Sequence, residues 1–419
     1  MPAIIVGYMF LFIFRPFEVW PLLADLHIER IYMLFALTVF VFTQKNRGVT
    51  GSLHYYILAL CVLIVLAPFY SPYPLVTEGQ ADEYLKYMVF YVMLLFGIRS
   101  REELEKVLLG FLAVMLIYEG KSLWEFLVNG RHMYRMGIVR LIGIDEAFSD
   151  PNTFSASIAY ALPIAFMFLR YRAPLYPRWW ILWGVGILLV VSVTCFVFTG
   201  SRSGQLTLLF LLLMEWFREK RKILMAVAFA GVLAVVWNYM PMAYQNRFES
   251  IWNPTVTDPT AQESAEGRVE GIKDGYALLQ LRPLFGFGAG SFGEARGLVG
   301  KLEGLAAHNL YGQVMGDLGL VGTFLFVMIC ITLVKQSLKL RRENIPPPGE
   351  PPNFNSLLAV AILQTMILLL FDGNFGHNLY RHTWLWISAF IMLAMHFHRQ
   401  SQLEAVNGAT EREELRMAQ

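Results

Sequence analysis

Residues 179–217 read WWILWGVGILLVVSVTCFVFTGSRSGQLTLLFLLLMEWF. Two apolar runs flank the short polar turn Thr199-Gly200-Ser201-Arg202-Ser203-Gly204. A membrane-spanning helix needs about 20 mostly apolar residues, fewer where its ends sit in the interface. In lipid, backbone polar groups are satisfied only inside a helix or a closed barrel. The segment therefore reads as a helical hairpin across a bilayer, and it sets the class of the chain: an all-α polytopic membrane protein. The turn is too small to hold a charge well above the membrane surface. Arg202 is accordingly expected at the interface, near the N-terminus of the second helix, where free N–H groups favour an anion. A polar hairpin with an anchoring arginine is one reading; a diphosphate cradle at headgroup depth is the one favoured here.

The same pattern recurs along the chain. Of its 419 residues 56% are hydrophobic and 16% charged, too apolar a mixture for a soluble domain. A net charge of +2, with no basic run interleaved with aromatics, argues against nucleic acid as a partner. Cys61, Cys195 and Cys330 each lie in an apolar segment and read as small buried hydrophobes rather than disulfide or metal partners. The first apolar run leads into Arg15-Pro16 without a small-residue cleavage site, so it is expected to remain as a helix. About twelve spans are expected, near residues 3–22, 30–43, 53–70, 83–98, 107–128, 153–169, 179–198, 204–217, 223–240, 309–334, 356–371 and 384–397. Residues 1–240 then hold helices 1–9, residues 241–307 one large outer loop with short amphipathic helices, residues 308–398 helices 10–12, and residues 399–419 a charged, frayed cytoplasmic tail.

Orientation follows from the basic residues, which favour cytoplasmic connections. With the N-terminus inside, those connections hold Lys45 and Arg47; Arg99, Arg101 and Lys106; Arg170, Arg172 and Arg178; Arg218 to Lys222; and Lys335, Lys339, Arg341 and Arg342. The opposite segment Ser71 to Glu83 has no basic residue. The two sets alternate without a break, so both termini are expected inside and the long loop outside. Pro346-Pro347-Pro348-Gly349 reads as a stiff cytoplasmic connector.

Basic residues on the outer side then need another reason to be there. They are almost all arginine: Arg131, Arg135, Arg140, Arg202, Arg247, Arg268, Arg282, Arg296 and Arg381. Guanidinium grips phosphate oxygens bidentately, which lysine does not. Anchoring to lipid headgroups, or pairing with Asp145, Glu146 or Glu294, is the competing explanation for any one of them. Arg268 opens a helix-like segment in which Val269, Ile272, Tyr276 and Leu279 fall on one face, as in a helix lying on a membrane. The run Pro283 to Phe292 breaks it with repeated glycines. The loop ends on His308-Asn309-Leu310-Tyr311, and histidine is the natural proton carrier near neutral pH.

Taken in order, Thr199–Gly204, Arg268 with its short helix, Arg282-Pro283-Leu284-Phe285-Gly286-Phe287-Gly288, His308-Asn309-Leu310-Tyr311 and Gly316-Asp317-Leu318-Gly319-Leu320-Val321-Gly322 resemble the O-antigen ligase and O-antigen polymerase superfamily. Asp150-Pro151-Asn152 resembles another of its recurrent elements. The resemblance runs from about Asp150 to Gly322. It implies a GT-C-like membrane glycosyltransferase that needs no metal or other cofactor and works at the outer face of a bacterial inner membrane. The implied donor is a glycan on undecaprenyl diphosphate, and the acceptor is lipid A-core or another glycan, among membrane lipids. It further implies that Arg202 and Arg268 engage the diphosphate and that His308 takes the acceptor proton. Asn309, Arg282, His377 and Arg381 are candidates for acceptor binding or support. The family often has Glu where this chain has Asp317, which therefore receives no role.

Elementary chemistry agrees with those roles. An attacking hydroxyl must lose a proton, which imidazole accepts near pH 7. A departing diphosphate needs its charge met, which two arginines do. Attack opposite the leaving group inverts the anomeric carbon. His377-Asn378-Leu379-Tyr380 repeats the His308 tetrapeptide near Asp372, Arg381 and His382, so His377 is a rival base or a groove residue. Two other classes stay open: a transporter or flippase of lipid-linked glycan, and a non-catalytic partner in envelope assembly. Lys86, Glu119 and Lys121 are the main charges within the spans, with Lys121 and Glu125 placed to pair at i,i+4. Ligase and polymerase share this machinery and differ in acceptor, a choice the sequence leaves open along with oligomeric state.

Overall fold

The computed structural model describes residues 1–43, 49, 51–135, 137–145, 149–249, 253, 259–300, 304, 306–347 and 349–417. Lys45, Arg47, Glu146 and Pro348 lie outside the described residues. The elements in order are α1 (Pro2–Phe14), α2 (Pro16–Val19), α3 (Pro21–Asp25), α4 (Ile28–Thr43), α5 (Ser52–Val65), α6 (Ala67–Tyr70), α7 (Pro74–Gly97) and α8 (Arg101–Leu127), then the strands β1 (Met133–Arg135) and β2 (Ile138–Arg140). They continue with α9 (Pro151–Arg170), α10 (Arg178–Thr199), α11 (Arg202–Arg218), α12 (Lys222–Tyr239), α13 (Met242–Glu249), α14 (Pro259–Leu281), α15 (Phe292–Ala295), the 3-10 turn Arg296–Val299, α16 (Leu310–Glu343), α17 (Phe354–Asp372) and α18 (Thr383–Met417).

The protein is an α-helical membrane protein, with one departure from the all-α expectation. The strands pair antiparallel as a small hairpin, Met133 opposite Arg140 and Arg135 opposite Ile138. Among the described residues seven helices are long and apolar enough to cross a membrane: the segment Pro2–Val19 and helices α8, α9, α10, α12, α16 and α17. The other expected spans fall on α4, α5, α7, α11 and α18, which are shorter or less apolar. The first expected span is not continuous. Arg15 adopts a left-handed backbone (φ 47°) ahead of Pro16, whose ring cannot continue the ladder of α1. Helix α7 begins at Pro74, inside the acidic segment read as a loop, and α18 runs on to Met417 through the segment read as a frayed tail. The three cysteines are free thiols in apolar surroundings.

Lys86 Nζ pairs with Asp82 at 3.1 Å and Lys121 pairs with Glu125. The buried Glu119 accepts from Ser192 Oγ at 2.6 Å through Oε2, while its Oε1 has no hydrogen-bond partner among the described residues.

Two packing features set up the rest. First, α14 lies against the start of α16 through glycines: a Cβ on Gly275 would stand 2.4 Å from the Gly312 carbonyl oxygen, and one on Gly271 2.0 Å from that of Ala307. The face of α14 that meets the protein is thus Gly271, Gly275 and Leu278, while Val269, Ile272 and Tyr276 point outward. Second, α16 is broken at Gly319 (φ 63°, ψ −160°), a backbone conformation open to glycine. The break releases two carbonyls and two N–H groups, and buried backbone groups must find partners. The stretch after α14 supplies all four. Phe287 and Gly288 N–H donate to Gly316 and Asp317 carbonyls at 3.0 and 2.8 Å. Leu320 and Val321 N–H donate to Pro283 and Leu284 carbonyls at 2.8 and 3.1 Å. The glycine run is therefore a backbone partner for α16, not a loose turn.

Candidate active site

Three helix N-termini converge, each capped by its own side chain. Asp150 Oδ1 accepts from Asn152 and Thr153 N–H at the start of α9, at 2.8 and 3.1 Å. Ser201 Oγ accepts from Gly204 N–H (3.1 Å) at the start of α11, and Asn309 Oδ1 accepts from Tyr311 and Gly312 N–H at the start of α16, at 2.9 and 3.1 Å. Ser201 Oγ also donates to Asn152 Oδ1 at 2.8 Å, which joins the first two starts. Helix starts carry partial positive charge and unspent N–H groups, so the region favours an anion.

Arg202 is the first residue of α11 and is half-buried. Gly200, left-handed at φ 53°, makes the turn that brings it there. Arg268 lies in the middle of α14 rather than at its opening, because that helix begins at Pro259. Its guanidinium stands 5.3 Å from the centre of the Phe375 ring. Burial lowers the Arg268 pKa, the like charge of Arg202 lowers it further, and Asp372 opposes them. The two like charges are thus close enough to oppose one another.

His308 precedes the Asn309 cap with a left-handed backbone (φ 47°). A non-glycine residue held there stores strain of order 1 kcal/mol, a feature that clusters at functional sites. The ring is exposed, 5.6 Å from the ring centre of His377 and inclined to it by 63°. Surrounding protein displaces water and lowers the His308 pKa below its ordinary 6.5; Arg268 is the next cause, Asp150 opposes, and Arg296 and Arg135 add small lowering effects. His377 is pushed down to about 4 by loss of water, then by His308 and Arg381. Both imidazoles are therefore neutral near pH 7, and His308 is the more basic of the pair.

The supporting candidates divide. Asn309 is buried with its side-chain oxygen spent on the α16 cap. Arg381 donates to Ser157 Oγ (2.7 Å) and the Thr153 carbonyl (3.0 Å) and lies 5.4 Å from the Tyr160 ring centre, tying the connection after α17 to the start of α9. Arg282 stands apart from His308: it donates to the Tyr70 carbonyl at 3.4 Å and lies 5.7 Å from the Phe287 ring centre. Arg296, one of the outer arginines, pairs with Asp274 at 2.6 Å.

Two of the outer arginines, singled out for no individual role from sequence, and one phenylalanine complete the site. Arg140 is buried; its Nε donates to the Thr199 carbonyl (2.7 Å) and Nη2 to Asn152 Oδ1 (3.0 Å). Burial pushes its pKa down to about 10, against the pull of Asp150. Arg247 Nε donates to the Gly200 carbonyl at 2.6 Å. Together they bind the carbonyl end of α10 and fix the turn bearing Arg202. The hint in the sequence was a charge within Ile138-Val139-Arg140-Leu141. Phe375, the platform under Arg268, carried no such hint. Among the described residues no group of three or more His, Cys, Asp or Glu is placed to hold a metal ion.

Residues 187–327 match the family model described as O-antigen ligase, a span that includes Arg202, Arg268, Arg282, His308 and Asn309 and ends before His377 and Arg381. Residues 2–121 match a family of unknown function. No curated protein matches the chain.

Proposed function

We propose that the chain, whose membership of the O-antigen ligase and polymerase superfamily is supported by residues 187–327, moves a glycan from undecaprenyl diphosphate to an acceptor hydroxyl. The reaction belongs at the periplasmic face of a bacterial inner membrane, with both termini cytoplasmic, about twelve spans, and residues 241–307 as the outer loop. The observation that carries this reading is the meeting of Arg202, Arg268 and a neutral His308 where three helices begin.

In this mechanism the diphosphate lies between Arg202 and Arg268, where its charge relieves their mutual repulsion. The acceptor oxygen attacks the anomeric carbon from the side opposite the diphosphate. The bond from carbon to phosphate oxygen breaks, the diphosphate leaves with the electron pair, and the acceptor proton passes to His308. The carbon inverts. The arginine pair supplies the charge compensation that a metal would otherwise give, worth several kcal/mol in a water-poor site. His377 orients the acceptor or the His308 ring, while Asn309 and Arg381 hold the frame.

Lys86 and Lys121 each pair with a carboxylate one turn away rather than lining a route through the protein, which favours an enzyme over a transporter. The purified full-length chain should release undecaprenyl diphosphate from a lipid-linked donor only when acceptor is present. No release, or release unaffected by Ala at Arg202, Arg268 and His308 together, would reject the proposal. Ligase is the preferred assignment and polymerase the alternative. A deletion strain that accumulates long undecaprenyl-linked chains indicates ligase; one that accumulates single repeat units indicates polymerase.

A further inference from the structure

Asp317 has no part in the chemistry above, yet it sits where three segments meet. It is fully buried, just ahead of the Gly319 break in α16. Its Oδ2 accepts from the Tyr380 hydroxyl at 2.8 Å and from Gly290 N–H at 3.1 Å. Gly290 N–H also lies 3.2 Å from the Tyr380 oxygen, so donor, hydroxyl and carboxylate form one small network. The other oxygen, Oδ1, has no hydrogen-bond partner among the described residues.

Each segment at this oxygen leads to the candidate site. Helix α16 starts at the cap that presents His308. The glycine stretch continues α14, which carries Arg268. Tyr380 belongs to the connection between α17 and α18, which sets Phe375 under Arg268 and His377 beside His308. Four backbone hydrogen bonds hold the glycine stretch on α16. Leu310 N–H to the Gly373 carbonyl (2.7 Å) and Leu379 N–H to Gln313 Oε1 (3.4 Å) hold the α17–α18 connection there. What the Asp317 carboxylate adds is one node that joins all three segments through Tyr380 and Gly290. Both groups that meet Oδ2 are donors, which a carboxylate oxygen accepts.

We propose that Asp317 is a positioning residue: a clamp that, through Tyr380, keeps His377 and Phe375 in register with His308 and Arg268 for transfer. The inference rests on the reading of the site given above. Displacement of reacting groups by about 1 Å from a remote change costs on the order of 100-fold in rate. Loss of the clamp should therefore act on turnover, not on donor capture by the arginines.

Tyr380→Phe isolates the effect. It removes only the hydroxyl, and the ring keeps its edge-on contact with Tyr84, 6.0 Å between centres. In the transfer assay with full-length chain, Tyr380→Phe and Asp317→Ala, which remove the donor hydroxyl and the acceptor oxygen respectively, should each lower kcat roughly 10- to 100-fold, with the donor KM changed less than about twofold. The double variant should be no worse than the worse single, because both break one contact. The melting temperature of Tyr380→Phe should stay within a few degrees of wild type. Unchanged kcat in folded Tyr380→Phe, a loss confined to KM, or additive losses in the double variant would overturn the clamp alone. Absence of transfer by the wild-type chain would overturn the functional reading and the clamp with it.

Discussion

At the scale of single residues, His308 and His377 each open a His-Asn-Leu-Tyr tetrapeptide yet take different roles. His308→Ala should lower transfer about 10²- to 10⁴-fold, the usual contribution of a general base, while His377→Ala should cost clearly less. The reverse order, measured as kcat/KM with a lipid-linked donor, would assign the proton to His377. The pH profile carries a sign. A base works when unprotonated, and the His308 pKa lies below 6.5, so kcat/KM should fall as pH drops through that lower value and be level at pH 7. Arg135 is among the cations that lower it; Arg135→Gln should therefore move the acidic limb to higher pH, and a shift to lower pH contradicts the assignment. Arg202, Arg268 and His308 stood out in the sequence because arginine on the outer side of a span, and an imidazole closing the polar loop, each need a reason. Arg282 lies fourteen residues beyond Arg268, roughly 21 Å along an axis rising 1.5 Å per residue, so a supporting role for it would be exercised away from the arginine pair. Phe375 and Tyr380 escaped notice because aromatic residues are ordinary in this chain and only their spatial partners distinguish them.

At the scale of elements, the spacing of α14 from α16 governs the distance from Arg268 to His308. Gly275→Ala and Gly312→Ala would each drive a Cβ into opposing backbone, at 2.4 Å from the Gly312 oxygen and 2.1 Å from the Gly271 oxygen. Each should destabilise the protein by about 1–3 kcal/mol and reduce transfer. Gly184→Ala and Gly231→Ala meet nothing within 4 Å and serve as neutral controls. Thermal unfolding in detergent beside the activity assay checks both; equal effects at the four positions would show that the close approach is not what matters. Helix existence was readable from apolar runs, although the expected spans 3–22 and 53–70 are each divided among shorter helices. Helix ends were not. The start of α14 at Pro259 lies in polar sequence without apolar periodicity, and the break at Gly319 depends on hydrogen bonds from residues 283–288, which no local pattern announces.

At the scale of the whole molecule, the alternation of basic connections predicts sidedness. With the three native cysteines replaced, Lys273→Cys in α14 should react with a membrane-impermeant thiol reagent from the periplasmic side, and Lys339→Cys at the end of α16 should not. Labelling of both from one side would refute the proposed topology. The hairpin at residues 133–140 was not foreseen, since three-residue strands fall below any periodic signal, yet through Arg140 it braces the turn that carries Arg202. The proposed function needs the bundle, the braces and the glycine contacts to hold two guanidinium groups and one imidazole toward one ligand. A structure of the full-length chain with undecaprenyl diphosphate bound tests this most directly. The account predicts phosphate oxygens within hydrogen-bonding reach of both Arg202 and Arg268, with His308 beside the position of the transferred sugar. Phosphates resting on other residues, or touching one of the two arginines only, would contradict it.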